Sequence, residues 1–159
     1  EMFVKNVAGD GAYFRSFCDA LKSGDAPEVE RLFSGYLQRT ISIRDTFVRK
    51  PIKENFYHGI LLGILGYKTD WYVRSNRESG DGFSDISIEI EDEGIGIIIE
   101  VKYSEKSRME AVCREALRQI ESTGYAEQLR EDDCTTILKY GIACYKKQCR
   151  VMATIENME

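Results

Sequence analysis

The segment that most constrains the fold is "GIGIIIEVKYS" at 94–104, where aliphatic residues follow one another with no polar alternation. Residues two apart on a strand project from the same face, so an unbroken aliphatic run is buried on both faces. We therefore predict a central strand that is covered on both sides. Glu100 and Lys102 stand at the end of this run, where the strand would emerge from the core.

The preceding segment, "DISIEIEDE", alternates instead. Asp85, Ser87 and Glu89 share one face of a predicted strand, and isoleucines occupy the other. The turn signal "EDEG" at 91–94 predicts a hairpin that brings Asp85 beside Glu100. Buried charges are costly unless they are paired or coordinate a metal. Two carboxylates and a lysine on adjoining strands therefore suggest a divalent-cation site, since Mg²⁺ takes a few carboxylate oxygens plus waters.

The remaining elements are predicted from the spacing of apolar residues. They are helices at 11–25, 26–41 and 53–67, a strand at 69–79, a helix at 107–123, and two strands within 135–157 joined by a polar turn at 146–148. The first two helices form a hairpin. The order is thus a helical prefix, then helix, three strands, helix and two strands. We expect one compact unit, with a helical lead-in at 1–50 packed on a domain at 51–159.

Composition narrows the classes of protein. The formal net charge of −5 argues against indiscriminate nucleic-acid binding but permits a local basic groove. No apolar run approaches the roughly 18 residues that cross a bilayer, and no basic segment precedes an apolar one at the start. Five cysteines occur without a CxxC pair, so a cytoplasmic protein with reduced thiols is expected. Because the first residue is Glu1, we expect a piece of a longer protein.

Basic residues near the predicted site suggest a track for phosphates, since cations interleaved with aromatic residues suit a nucleic-acid backbone. These basic residues are Arg74, Arg77, Arg114, Arg118, Lys139, Lys146, Lys147 and Arg150, with Tyr140 and Tyr145 among the last four. For Lys146 and Lys147 the alternative is a solvated hairpin edge, where lysines protect against aggregation.

The pattern D-x14-E-x-K, formed by Asp85, Glu100 and Lys102, resembles the PD-(D/E)xK nuclease superfamily. The segments "SNRESGDGFSD", "IIIEVK", "ALRQIESTGY" and "YGIACYKKQCRV" extend the resemblance over about 54–151. They are similar to the PD-(D/E)xK domain found C-terminal to an AAA-type ATPase-like domain in bacterial proteins. The resemblance implies an α/β, restriction-endonuclease-like core of order α-β-β-β-α-β, with a mixed central sheet flanked by helices, behind the N-terminal helical hairpin.

The resemblance also implies roles for the site residues. Asp85 and Glu100 would be metal ligands with catalytic roles, and Lys102 would be the catalytic lysine. Gln119 and Tyr125, in "QIESTGY", are similar to a glutamine and a tyrosine that follow the second core helix in exonuclease-like members. Gln119 would be catalytic and Tyr125 would bind nucleic acid. The arginines at 74, 77 and 118 are expected to bind nucleic acid because of their place in the basic track, not because of the resemblance. Tyr125 also fits a packing role.

Two residues of the third helix complete the implied site. Glu54 would be a further metal ligand and His58 a catalytic residue, and their spacing of four places both on one helical face. Glu54 also fits a first-turn acid favoured by the helix dipole. His58 also fits a hydrogen-bonded core histidine.

The function implied is hydrolysis of phosphodiester bonds, in DNA rather than RNA, with Mg²⁺ as cofactor and Mn²⁺ as a substitute. An N-terminal ATPase-like domain of the same polypeptide is the implied partner, and no membrane is expected. One alternative is a non-catalytic module of the same fold that binds nucleic acid for the ATPase. Another is a regulatory domain with vestigial carboxylates, suggested by the acidic total and by Phe83, where many relatives carry a basic residue.

Overall fold

A computed structural model describes the backbone of residues 2–40, 50–77 and 84–158, and the side chains of 10–40, 54–76 and 85–158. Phe83 and the rest of "ESGDGF" at 78–83 therefore lie outside the described residues. So does the side chain of Arg77. Within the described ranges, no helix is both long and apolar enough to span a lipid bilayer.

Seven helices and five strands follow one another in the described chain. They are α1 (Met2–Ser23), α2 (Ala26–Thr40), α3 (Lys50–Leu65), β1 (Tyr72–Arg77), β2 (Ser84–Ile90), β3 (Ile95–Tyr103), α4 (Met109–Thr123), α5 (Tyr125–Glu131), β4 (Thr136–Tyr145) and β5 (Gln148–Asn157), with short 3₁₀ helices at Glu91–Glu93 and Lys106–Arg108. The predicted order is confirmed, apart from α5.

The five strands form one mixed sheet in the order β1-β2-β3-β4-β5. Only β3 and β4 are parallel, and α4 and α5 make the crossover that a parallel pair requires. The predicted β2–β3 hairpin is confirmed. Its turn ends at Gly94, whose φ of 63° is a left-handed conformation that glycine adopts without steric cost.

β3 is the central strand and is covered on both sides, as its aliphatic run predicts. Ile97 and Ile99 belong to a large core shared with α1, α2 and α3. Ile98 points to the other face and packs with α4 and α5. All three side chains are 0% exposed, and burying each stabilises the fold by about 1.5–3 kcal/mol.

The helical hairpin α1–α2 is part of this core. Phe17 and Phe33 belong to the same buried cluster as the strand residue Ile88. The Tyr140 hydroxyl on β4 donates to the Leu21 carbonyl of α1 at 2.6 Å. The N-terminal helices and the sheet thus share one continuous apolar interior.

Two elements differ from the sequence prediction. α1 begins at Met2 rather than near Gly11, since Gly9 and Gly11 weaken the helical signal by about 1 kcal/mol each without ending the helix. α5 was not predicted. It has seven residues, too few for a clear period, and buries only Ala126 and Leu129.

Lys139 corrects the predicted phosphate track. Its side chain is 1% exposed, and its Nζ donates to Glu121 at 2.5 Å and to Glu156 at 2.7 Å. Burial alone would lower the pKa of Lys139, but these two hydrogen bonds raise it overall. Arg150 is also engaged, with Glu30 at 3.7 Å. The absence of acids in 137–150 was therefore misleading, because the partners come from elsewhere in the chain.

Candidate functional site

Two buried carboxylates lie side by side on one face of the sheet. The β2–β3 ladder pairs Ile86 with Ile99. The next pair along the same ladder is therefore Asp85 with Glu100. Directly opposite residues project to the same face with Cβ atoms about 5 Å apart. Each of the two carboxylate side chains is only 1% exposed.

Glu100 carries an unsatisfied oxygen. Its Oε2 is buried and has no hydrogen-bond partner among the described residues. Burying a charged oxygen without a partner costs several kcal/mol, so a cation at this position would supply a missing interaction. No group of three or more His, Cys, Asp and Glu side chains suited to a metal occurs within the described ranges. Two carboxylates completed by waters is nevertheless a usual arrangement for Mg²⁺, so the pair fits such an ion.

Lys102 lies at the mouth of a cleft next to this pair. It follows Glu100 by two residues on β3 and so projects from the same face. Its half-buried side chain lines a cleft of about 240 Å³ together with Glu54, Ser104 and Arg108. An ammonium here can face a phosphate that enters from solvent.

Glu54 reaches this cleft from α3. It is 6% exposed, and its Oε1 accepts the backbone N–H of Tyr103 at 3.1 Å. The carboxylate thus ties α3 to the end of β3, one residue beyond Lys102. The structure brings Glu54 to Lys102, while its role as a metal ligand stays a prediction.

His58 is also buried on α3, at 9% exposure, as the shared helical face predicts. Its Nε2 lies 2.9 Å from Ser75 Oγ on β1. Ser75 pairs with Ile86, one residue from Asp85, so it lies on the opposite face of the sheet. The structure therefore places His58 across the sheet from the carboxylate pair.

α4 turns Gln119 toward the sheet and Arg118 toward solvent. Gln119 is partly buried and follows Glu115 by four residues and Val112 by seven, which puts all three on one helical face. Val112 and Glu115 line the cleft beside Lys102. Arg118 is exposed on the outer side of the helix, so it is not grouped with the carboxylates.

Arg74 and Tyr125 line one cleft, which lies further along β2 from Asp85, away from the Lys102 cleft. Together with Asn76 and Ser87 they line a narrow cleft between β1 and α5. Asn76 pairs with Asp85 across the β1–β2 ladder, and its Nδ2 donates to Ser87 Oγ at 3.1 Å. Arg77 continues β1 past Asn76, but its side chain is outside the described part.

The sequence analysis did not identify Tyr72 and Asn76 as candidate site residues. A signal for them exists, because period-two alternation in "YVRSNR" puts Tyr72, Arg74 and Asn76 on one face. The ladder shows that this is the face of Asp85. The polar row across the sheet therefore begins on the edge strand.

The opposite end of the sheet is acidic. Eight carboxylate residues line two clefts there: Asp70, Glu89, Glu91, Asp92, Glu93, Glu131, Asp132 and Asp133. Ile95, at that end of β3, is five residues or about 17 Å from Glu100. Burial, followed by a hydrogen bond with Asp132 and its negative charge, raises the pKa of Glu89 to about 7.

A mixed sheet flanked by helices, with carboxylates at the ends of two central strands, defines a restriction-endonuclease-like α/β fold. A family model described as the PD-(D/E)XK nuclease superfamily matches residues 52–154, from α3 into β5. The chain belongs to the PD-(D/E)XK nuclease superfamily, and the predicted resemblance to that superfamily is confirmed. The comparison with curated proteins gives no significant match.

Proposed function

We propose that this chain is a divalent-metal-dependent nuclease domain that hydrolyses phosphodiester bonds. The observation that carries the proposal is the pair Asp85 and Glu100, each 1% exposed and adjacent on one sheet face, with Lys102 following at the mouth of a cleft. A fold without chemistry to perform would gain stability by replacing such a pair with apolar residues. Membership of the superfamily supports the same conclusion.

The roles follow from position. Asp85 and Glu100 would hold the ion, and a bound divalent cation would supply charge neutralisation at the phosphodiester and a more acidic water. Lys102 faces the phosphate and stabilises the charge that develops on its oxygens. Gln119 lies on the face of α4 toward the cleft and orients groups there. Glu54 holds the end of β3 through the Tyr103 N–H, and so fixes the position of Lys102.

Narrower parts of the proposal rest on the sequence resemblance. The substrate is DNA rather than RNA, the ion is Mg²⁺ with Mn²⁺ as a substitute, and the protein acts in the cytoplasm. An ATPase-like domain precedes this one in the same polypeptide. The lead-in comprises residues 1–50 and the nuclease-like domain 51–159, supported by a family match that begins at 52. Nucleic-acid contacts come from Arg74, Arg77, Arg118 and Tyr125. His58 lies across the sheet from the carboxylate pair, so any contribution to catalysis acts through the packing of α3 on β1.

Cleavage of fluorescent DNA with Mg²⁺ or Mn²⁺ tests the proposal, using single-stranded, duplex and branched substrates and an RNA counterpart. We expect Lys102→Ala to lower the rate by about 10²–10³-fold, as loss of one transition-state contact does. Asp85→Asn with Glu100→Gln should abolish cleavage while retaining the shape of both side chains.

Lys22→Ala is the matched control for Lys102→Ala. Lys22 forms its ion pair with Glu93 at 3.1 Å, at the acidic end of the molecule, so cleavage should be unchanged. If the wild type cleaves none of these substrates, the proposed nuclease activity is refuted. Binding of nucleic acid without turnover, unaffected by Lys102→Ala, would instead identify a non-catalytic binding module. Failure to bind any nucleic acid at low salt would favour a regulatory domain.

A further inference from the structure

Tyr72 presents an aromatic surface on the same sheet face as the candidate site. Its side chain is 56% exposed, the highest value among the large apolar side chains that the structure describes as exposed. It stands on the edge strand β1, four residues or about 13 Å from Asn76, the partner of Asp85. A ring of this size left in water on a strand face is suited to contact with another molecule.

Arg74 holds this ring and adds a positive charge. Its Nη2 donates to the Tyr72 hydroxyl at 3.2 Å, and its guanidinium carbon lies 5.3 Å from the ring centroid. Both side chains project from the face of Asp85, at the border of the acidic end. Tyr72 pairs with Glu89 there, and the charges of Glu89 and Asp132 act on Arg74. A cation and an aromatic ring in this order match a nucleotide, which carries a phosphate and a flat base.

We propose that Tyr72 and Arg74 form a stacking platform for an unpaired nucleobase of the substrate strand. The inference rests on the proposed nuclease function and narrows the substrate to nucleic acid with a single-stranded segment. A base still stacked within a duplex has no open face for the ring, whereas an unpaired base does.

The base lies on the ring rather than in a pocket. The cleft that Tyr72 shares with Asn76 and Tyr125 holds only about 20 Å³, little more than one water. The wider clefts that Tyr72 also lines, of about 300 and 380 Å³, are the acidic ones, which disfavour a nucleotide. The open side of the ring borders the acidic cleft that holds Glu91, Glu131 and Asp132, whose negative charges repel phosphates. The backbone therefore turns away from the protein after this base, and a single nucleotide position is read.

Binding of a fluorescein-labelled single-stranded DNA by anisotropy, in EDTA at low salt, tests the platform apart from catalysis. We expect Tyr72→Ala to weaken binding about tenfold, within the range found for base–aromatic stacking, and Tyr72→Phe to retain it. Tyr67→Ala, which removes another exposed tyrosine, should leave the affinity unchanged. Binding of the matching duplex should not depend on Tyr72.

A series of oligonucleotides with one abasic site each locates the contact. An abasic site at one position of the strand should weaken binding by the wild type about tenfold. The same abasic site should not weaken binding by Tyr72→Ala any further. Equal affinities of the wild type and Tyr72→Ala, equal losses for single strand and duplex, or no single-strand binding by the wild type would each overturn the platform. Binding that depends on Tyr72 without any cleavage with Mn²⁺ would contradict the nuclease function and leave the platform standing.

Discussion

Glu89 lies four residues from Asp85 on the same face of β2, yet its environment is different. It faces Asp132 at the end of α5, Arg74 on β1 and Glu91 in the turn. Burial and the hydrogen bond with Asp132 raise the pKa of Glu89 to about 7, against an ordinary value of 4.5. Between pH 4.5 and about 7, Glu89 is therefore protonated in the native state and ionised in the unfolded chain.

This difference predicts how stability depends on pH. Because the folded pKa is the higher one, the contribution of Glu89 to the free energy of unfolding is present below pH 4.5 and is lost as pH rises toward 7. Glu89→Gln keeps a neutral side chain at every pH. We expect the variant to be more stable than the wild type at pH 8 and similar to it at pH 5, in urea unfolding followed by circular dichroism.

Asp92→Asn, at an exposed position of the neighbouring turn, is the control for the loss of one negative charge. If this variant gained as much stability at pH 8 as Glu89→Gln, general charge repulsion would be the cause. The raised pKa of Glu89 would be contradicted if the free energy of unfolding of the wild type, relative to that of Glu89→Gln, did not fall between pH 5 and pH 8.

At the scale of elements, the close approach of α4 to the sheet depends on Gly141 of β4. Gly141 pairs with Glu100 across the parallel ladder. A Cβ at this position would lie 2.4 Å from the Cys113 carbonyl oxygen of α4. Backbone cannot yield as a side chain can, so the helix and the strand need a residue without a Cβ here.

Gly141→Ala should therefore be strongly destabilising. We expect a loss of about 3 kcal/mol or more in urea unfolding, because α4 must move off the sheet. Gly96→Ala is the matched change on β3, where the added Cβ would meet the end of the Leu129 side chain at 2.8 Å. That side chain can rotate, so a loss of about 1 kcal/mol is expected. Equal losses would show that close packing on α4 is not the cause.

The elements also show how far the sequence could be interpreted. The β2–β3 hairpin and the pairing of Asp85 with Glu100 were predictable, because strand period and turn chemistry are local. The environment of Lys139 was not, since Glu121 and Glu156 reach it only in the folded chain. His58 shows the same limit. Helical spacing places it with Glu54, but only tertiary packing decides which face of the sheet the helix covers.

At the scale of the whole molecule, charge is distributed unevenly along the sheet. The eight carboxylates gather where β3 begins, and the carboxylate pair with Lys102 lies where it ends. The two ends are more than a Debye length apart, about 10 Å at 0.1 M salt. The two ends can therefore interact with a polyanion independently. The formal net charge of −5 for the whole chain does not describe the local charge at either end.

Reversing charge at the acidic end tests this separation. Glu91→Lys with Asp92→Lys replaces two negative charges by two positive ones at exposed positions, which raises the net charge by four units. We expect single-stranded DNA to bind several-fold more tightly at low salt, with the gain lost near 0.5 M salt, while the cleavage rate at saturating substrate stays unchanged. Glu91→Gln with Asp92→Asn should give about half the gain. A changed saturating rate would mean that the two ends are coupled.

The acidic end has a consequence for kinetics. Far from contact, a negatively charged strand would repel the end that carries the eight carboxylates and would so exert a torque on the domain that turns this end away. Orientation would then be selected during diffusion, before any specific contact forms. Unproductive complexes on the acidic surface would be short-lived, so the domain would encounter long stretches of nucleic acid without being sequestered by them.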